Sequence, residues 1–430
     1  MPVSPAQDSS GPGLPAPVEL GDLLEPFARR GVDLGLERIR AALAEAGDPQ
    51  RRFAAVQVAG TNGKGSICTM LHAILRAAGL HCGTYRSPHL VSWCERIRID
   101  EAWIAPDTLR ADLARWQAIG RRHALTPFEL LTAAAFDRFA REALDLVVLE
   151  VGLGGRLDAT TAHPERLVLG FGAIGLDHCE QLGDSLAAIA TEKAGVLSPG
   201  SLAFSAAQEP EVAEVLEREA QRREARLEWV EALPPTSDGG PMLGLAGDWQ
   251  RRNGAVAAAM ASALAGQGWP IGAEAIDRGL ASARWPGRLE RRHWRGRPLL
   301  LDGAHNPPAA AALRRELDQL ARQEPSVGGG RRWLLGIQRH KQAPDLVDAL
   351  LACGDRAAIV PIPDHASWSL ADLLASRPQL AGRLEAVDDP AAGLAWLAAP
   401  GPLPVVAGSL HLLGAVIPLL AAADSAPFEQ

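Results

Sequence analysis

One junction of strand, glycine turn and helix constrains this chain more than any other feature. Phe53 to Val58 is an apolar run, Gly60-Thr61-Asn62-Gly63-Lys64-Gly65 a glycine turn, and Ser66 to Ala78 carries apolar residues at helical spacing. Such a junction aims backbone N–H groups and the positive end of a helix at one spot, and a lysine adds formal charge, so its natural occupant is a phosphate chain. The pattern is a variant of the common G-x-x-x-x-G-K-[ST] loop: Ala59 stands four places before Gly63, and Gly65 separates Lys64 from the hydroxyl of Ser66. An ordinary glycine turn would leave Lys64 and Ser66 without a purpose, whereas a nucleotide uses both.

Lysine usage sharpens the reading. Lysine occurs only at Lys64, Lys193 and Lys341, although Lys and Arg together number 43. A residual lysine marks a place where guanidinium will not serve, because a compact ammonium fits between phosphates and a primary amine can deprotonate and form a covalent adduct.

Length bounds the architecture: 430 residues suffice for two domains with full cores. A formal charge of −8 gives no electrostatic footprint for nucleic acid or for an anionic membrane, so an anionic substrate must be met by a local cluster. Five scattered cysteines, never spaced C-x-x-C, indicate neither a disulfide framework nor a zinc site and fit a reducing compartment. No run approaches the ~20 apolar residues of a membrane span, and residues 1–20, rich in Pro, Ser and Gly, read as a flexible tail and not a signal peptide. The expected location is cytoplasmic.

Strands and helices alternate along the chain. Leu34 to Ala46 reads as a helix, His81 to Tyr85 as a strand, Asp107 to His123 and the stretch from Thr126 to Ala143 as helices, and Asp145 to Glu150 as a strand buried on both faces. Leu167 to Gly175 reads as a strand, Leu186 to Ala194 as a helix, Pro234 to Pro241 as a loop, and Gln250 to Leu264 as an Ala-rich helix. After Trp285-Pro286-Gly287-Arg288 a new alternation begins, with strands at Pro298–Leu301, Trp333–Gly336, Ala357–Ile362 and Leu403–Ala407, helices from Pro308 and from about Leu410, and a loop at Ser326–Gly330. The expected fold is α/β: a P-loop-containing doubly wound domain over 21–284, then a smaller Rossmann-like α/β domain over 285–430. Ligands of such sheets gather at the C-terminal ends of strands, where Gly60 to Ser66, Ser87 and Glu150 all lie. A nucleotide brings a metal, for which Glu150, Ser87 and His178 are the candidate ligands. Taken singly, each has a plain alternative as a cap, a turn residue or a loop histidine; their convergence on one sheet edge favours the site.

Seven segments in order carry a family resemblance. Gly60 to Ser66, Ser87-Pro88-His89, Glu150 to Thr160, Gly175-Leu176-Asp177-His178, Glu192-Lys193-Ala194-Gly195, Trp285 to Arg288 and Asp302-Gly303-Ala304-His305-Asn306-Pro307 together resemble the folylpolyglutamate synthase and dihydrofolate synthase branch of the Mur ligase superfamily. The resemblance implies a domain of the Mur ligase central type that binds ATP and pterin, followed by a glutamate ligase domain. The implied reaction activates a carboxylate as an acyl phosphate with Mg2+ and ATP, then adds L-glutamate to dihydropteroate and to reduced folates in a monomeric enzyme. It implies that Gly60, Thr61, Asn62, Gly63, Lys64, Gly65 and Ser66 hold the ATP phosphates, with Asn253, Arg288 and Asp302 also meeting ATP. It further implies Ser87, Glu150 and His178 on Mg2+, a carbamylated Lys193, His305 and Ser409 near glutamate, and Phe128, Asp158 and Ala159 about the pterin. Lys64, Lys193, Asp302 and His305 are the implied catalytic set.

Two departures stand out: Thr161 where the family writes Asn, and His340-Lys341-Gln342 where it writes Asp-Lys-Asp. Three other readings stay open: polyglutamate synthesis alone, a Mur-like ligase for another carboxylate, and a non-catalytic ATP-binding switch. The peptidoglycan ligases carry a domain before their loop for which Gly60 leaves no room, and retention of so many reactive residues argues against a switch.

Overall fold

The structure is a computed structural model that describes residues 13–30, 32–323 and 330–424. Its first sheet is built from β1 (Ala54–Ala59), β2 (Cys82–Tyr85), β3 (Ile97–Ile99), β4 (Ala102–Trp103), β5 (Leu146–Glu150), β6 (Arg166–Phe171), β7 (Leu202–Ala206) and β8 (Arg226–Val230). The spatial order is β4-β3-β2-β5-β1-β6-β7-β8. β1 pairs in parallel with β5 on one side and β6 on the other, aligning Val58 with Glu150 and Ala59 with Phe171. These central strands bury both faces, which is why they read as unbroken apolar runs. Helices Lys64–Ala77 and Trp249–Gly266 pack Ile67, Leu71, Ile74, Met260 and Leu264 on one face. Helix Pro127–Arg141 and residues near the N-terminus cover part of the other.

The second sheet comprises β9 (Glu290–Trp294), β10 (Arg297–Leu301), β11 (Arg331–Leu335), β12 (Arg356–Ile359), β13 (Leu384–Ala386) and β14 (Leu403–Ala407), in the order β13-β12-β11-β14-β10-β9. Only β9 runs antiparallel to its neighbour. The change of sheet falls between helix Ala273–Ser282 and β9.

Several elements differ from the sequence reading. No element was expected between Gly195 and Pro234, where β7, helix Pro210–Arg222 and β8 lie; β8 alternates charged and apolar residues at the sheet margin, a weak signal over five residues. The strand expected to reach Gly175 stops at Phe171, because Ala173 turns its carbonyl to the N–H groups of Thr61 and Asn62. The expected tail divides: residues 1–12 lie outside the described residues, but Leu14 packs against the core of the second domain and Leu20 is 1% exposed in that of the first. Most of the expected loop at Ser326–Gly330 also lies outside the described residues. Among the described residues, no helix is long and apolar enough to cross a membrane.

Candidate active site

The turn after β1 is built so that its backbone can approach other groups. Gly63 has φ +84°, and a Cβ there would stand 2.4 Å from the side-chain oxygen of Asn253. The helix that follows starts at Lys64, two residues earlier than the sequence spacing suggests, so the lysine lies in its first turn. Lys64 Nζ curls back to donate to the carbonyls of Gly60 at 3.0 Å and Thr61 at 3.1 Å. Lys193, at the end of helix Leu186–Ala194, donates to the same Gly60 carbonyl at 3.0 Å and is buried. Two lysine amino groups thus share one acceptor. Burial and the neighbouring Lys64 charge push the Lys193 ammonium down to about 7, so near neutrality much of it is the free amine.

Lys341 completes the set from the second domain. Its ammonium donates to Asp177 Oδ1 at 2.6 Å, with both side chains buried. The three lysines of the chain therefore surround one site, and all three act on His178, whose imidazole is pushed down to about 4, first by burial and then by these charges. His178 stays neutral at physiological pH, the form that ligates metals. Burial alone would raise Asp177, but the His305 hydrogen bond and the Lys341 charge hold it well below the usual carboxylate range.

Glu150 ends β5 beside the loop. Burial pushes its carboxyl up, and Lys64, Arg86 and Arg288 pull it back. Its Oε2 is buried with no hydrogen-bond partner, a costly state that a divalent cation would relieve. No three His, Cys, Asp or Glu side chains cluster as a metal cage among the described residues. That suits Mg2+, which commonly takes one or two carboxylates and fills its shell with waters and phosphate oxygens.

These groups face a cleft of about 890 Å³ between the domains, whose walls include Thr61 to Ser66, Ser87, Glu150, His178, Lys193, Asn253, Arg288, Asp302 and His305. Asp302 follows β10, where its carboxylate accepts from the N–H groups of Leu289 and Ala304, and burial raises it against the pull of Arg288. His305 Nδ1 lies 2.7 Å from the Gly303 carbonyl, leaving Nε2 towards Asp177 at 3.7 Å.

Other expected residues lie away from the cleft wall. Ser409 is 2% exposed and accepts from the His411 N–H at 3.0 Å, while the adjacent Leu410 lines the cleft. Asp158 points inward. Its Oδ2 accepts from Gly152 and Leu153 N–H, and its Oδ1 from the N–H and hydroxyl of Thr160. Its oxygens thus brace the loop from within. Thr161, one of the two departures from the family pattern, donates its hydroxyl to the Gly155 carbonyl and accepts from Gln57. Ala159 is buried in the core, and Phe128 is half-buried, with its ring 6.0 Å from that of Tyr85 and over Gly152, where a Cβ would meet it at 2.6 Å.

Three residues of the site carried no assigned role in the sequence reading. Asn306 and Asn62 exchange amide hydrogen bonds across the domains at 3.1 and 3.2 Å, and Asn306 also donates to Asp177 at 3.0 Å. Asp177 and Asn306 sit inside motifs already singled out, so the signal was present without an assignment. Trp285 covers the loop: a Cβ on Gly65 would meet its ring at 2.4 Å.

The chain is similar to several known proteins. The family model for the dihydrofolate synthetase C-terminal domain matches residues 288–363. A Mycobacterium tuberculosis dihydrofolate synthase/folylpolyglutamate synthase is 33% identical over 362 residues, covering 73% of this chain and 74% of that protein. A Haloferax volcanii protein named as a probable bifunctional folylpolyglutamate synthase/dihydropteroate synthase is 36% identical over 331 residues, 70% of this chain but 38% of its own length. Among solved structures, E. coli FolC in complex with DHPP and ADP superposes with a TM-score of 0.82 at 28% identity, covering 96% of this chain and all of that one. A Yersinia pestis bifunctional folylpolyglutamate synthase/dihydrofolate synthase with Mn, AMPPNP and L-glutamate bound gives 0.75 at 29%, covering 93% and 96%.

Proposed function

Because this chain belongs to the dihydrofolate synthase/folylpolyglutamate synthase family, we propose that it is an ATP-dependent ligase that joins L-glutamate to dihydropteroate and to reduced folates. One observation carries the reading: the phosphate loop, Lys64, Lys193, Glu150 and His178 converge with Asp302 and His305 of the second domain on a single cleft, with Lys341 held behind it by Asp177. A carboxylate is a poor electrophile, since its leaving group would be oxide. Transfer of the γ-phosphoryl group to a carboxylate oxygen expels ADP and makes an acyl phosphate. The glutamate amine then attacks the carbonyl carbon, and the tetrahedral intermediate expels phosphate as the nitrogen loses its proton.

The protein's share is positioning and charge neutralisation. The amides from Gly60 to Ser66 and the Lys64 ammonium, released from the Gly60 and Thr61 carbonyls, take the phosphates. Glu150, Ser87 and His178 would hold Mg2+, which supplies positive charge to the phosphates. Asn253, Arg288 and Asp302 meet the nucleotide, and His305 faces the incoming glutamate, with Ser409 shaping the turn beside it. Phe128 offers its ring to the pterin, and Asp158 with Ala159 acts by fixing the loop Gly152 to Thr160. Lys193 is read as the carbamate. Carbon dioxide reacts with a neutral amine, and an ammonium held near 7 supplies one. The new carboxylate would also offset the Lys64 charge. The division into 21–284 and 285–430 follows the two sheets, and one chain provides every group named, so the working unit is read as a monomer.

The test is phosphate release from Mg-ATP and L-glutamate, with dihydropteroate or tetrahydrofolate as acceptor and each product confirmed by mass. Turnover with both is expected. Turnover with one acceptor reduces the assignment to that activity, and turnover with neither refutes it.

A further inference from the structure

Three side chains of the second domain reach across to one carboxylate of the first. Lys341 Nζ donates to Asp177 Oδ1 at 2.6 Å, Asn306 Nδ2 donates to Oδ2 at 3.0 Å, and His305 Nε2 lies 3.7 Å from Oδ2. Each partner is fixed in its own domain. The Lys341 carbonyl accepts from the Trp368 indole at 3.1 Å, Asn306 Oδ1 accepts from the Ala309 N–H at 3.0 Å, and His305 Nδ1 lies 2.7 Å from the Gly303 carbonyl; the Asn306 amide also pairs reciprocally with Asn62 of the first domain. On the other side, Thr61 clamps the loop that carries Asp177, donating its hydroxyl to the Gly175 carbonyl at 2.9 Å and accepting the Gly175 N–H at 3.1 Å.

The next residue gives this junction a consequence. His178 adopts a left-handed backbone conformation at φ +52°, uncommon for a residue with a Cβ, so the direction of its side chain depends on how this turn is held. Its N–H donates to Asp177 Oδ1 at 2.9 Å, the same oxygen that holds Lys341. The pairs Asp177–Lys341 and Asn62–Asn306 both cross the domains, so separation would strip a buried carboxylate of its cation and leave amides unpaired.

The geometry points to Asp177 as a positioning residue that makes the orientation of His178 depend on docking of the second domain, with Lys341 and Asn306 as the docking contacts. His178 would then be presented to the nucleotide's metal only when the half of the protein read as receiving glutamate is in place. This rests on the reading of His178 as a metal ligand. It also accounts for Lys341 between His340 and Gln342: its carboxylate partner comes from the other domain and not from its sequence neighbours.

The test compares wild type with Lys341→Met, Asn306→Ala and the double variant Lys341→Met/Asp177→Asn by two measurements that need no turnover. Small-angle X-ray scattering reads docking, and electron paramagnetic resonance reads Mn2+ affinity in the presence of ADP. Lys341→Met should scatter as a more extended particle and bind Mn2+ about tenfold more weakly, the scale of losing a group that orients a metal ligand. ADP affinity without metal should change less than about twofold. Asn306→Ala should move both readouts in the same direction by a smaller factor, which covers failure of the lysine variant to fold. The double variant, which leaves no charge unpaired, should regain the compact scattering. Unchanged Mn2+ affinity in a Lys341→Met protein that scatters as extended would overturn the inference, as would wild-type values of both readouts in Lys341→Met and Asn306→Ala. A protein that behaves as expected here but ligates neither acceptor refutes the proposed activity and leaves this coupling standing.

Discussion

Lys193→Met should make the protein more stable and inactive at once. The wild-type ammonium titrates at about 7 in the fold, against 10.5 for an ordinary lysine, because burial and Lys64 penalise its charge. Between these values the unfolded chain binds more protons than the folded one, so this group makes stability rise with pH from about 7 to 10.5. At pH 7.4 the shift costs the fold on the order of 4 kcal/mol relative to a lysine neutral in both states. Methionine removes that cost and fills similar volume, while the Gly60 carbonyl keeps its bond from Lys64. Subtracting about 0.5–1.5 kcal/mol for the lost hydrogen bond, made at this pH by a largely neutral amine, leaves a net gain of roughly 2.5–3.5 kcal/mol. Chemical denaturation of both proteins in CO2-free buffer from pH 7 to 9 reads it. The gap should narrow as pH rises, and bicarbonate should close part of it by carbamylating the wild type. A methionine variant less stable than wild type at pH 7, or a gap independent of pH, would refute the argument from burial.

Glu150→Gln keeps volume and removes the buried charge, so it should fold at least as well as wild type while kcat/KM falls roughly 10²–10³-fold; steady-state kinetics against Mg2+ concentration checks it, and wild-type kinetics would exclude Glu150 from the metal site. Phe128→Ala removes a ring contact of about 1–1.5 kcal/mol, raising KM for dihydropteroate about tenfold without moving KM for ATP; an equal rise in both would place Phe128 in the core only. Gly65→Ala drives a methyl into the Trp285 ring, where 2.4 Å is too close for any carbon, so thermal stability should fall by about 1–3 kcal/mol and ADP affinity with it, measured by denaturation and calorimetry.

Fold class was legible because it is written locally. The runs at Ala54–Ala59 and Leu146–Glu150 are central strands because both faces are covered, and that alone makes them continuous and apolar. The scarcity of lysine also proved informative, since Lys64, Lys193 and Lys341 all act on His178. Short or edge elements such as β8 were lost because five residues with charged positions resemble a loop. That the Asp158 carboxylate accepts four donors within its own loop was not legible, because such a carboxylate has the same sequence neighbourhood as one that faces solvent.

By itself the sequence determined the strand, glycine turn and helix at Gly60 to Ser66, the alternation that makes two α/β domains, and the residue types able to meet a metal. Each depends on groups within a few positions of one another. Only the tertiary structure decided that Lys341 meets Asp177, 164 residues away, and that Asn62 meets Asn306, 244 residues away. Such pairs follow from how two separately folded sheets pack together, and their cost or gain exists only once water is excluded between them.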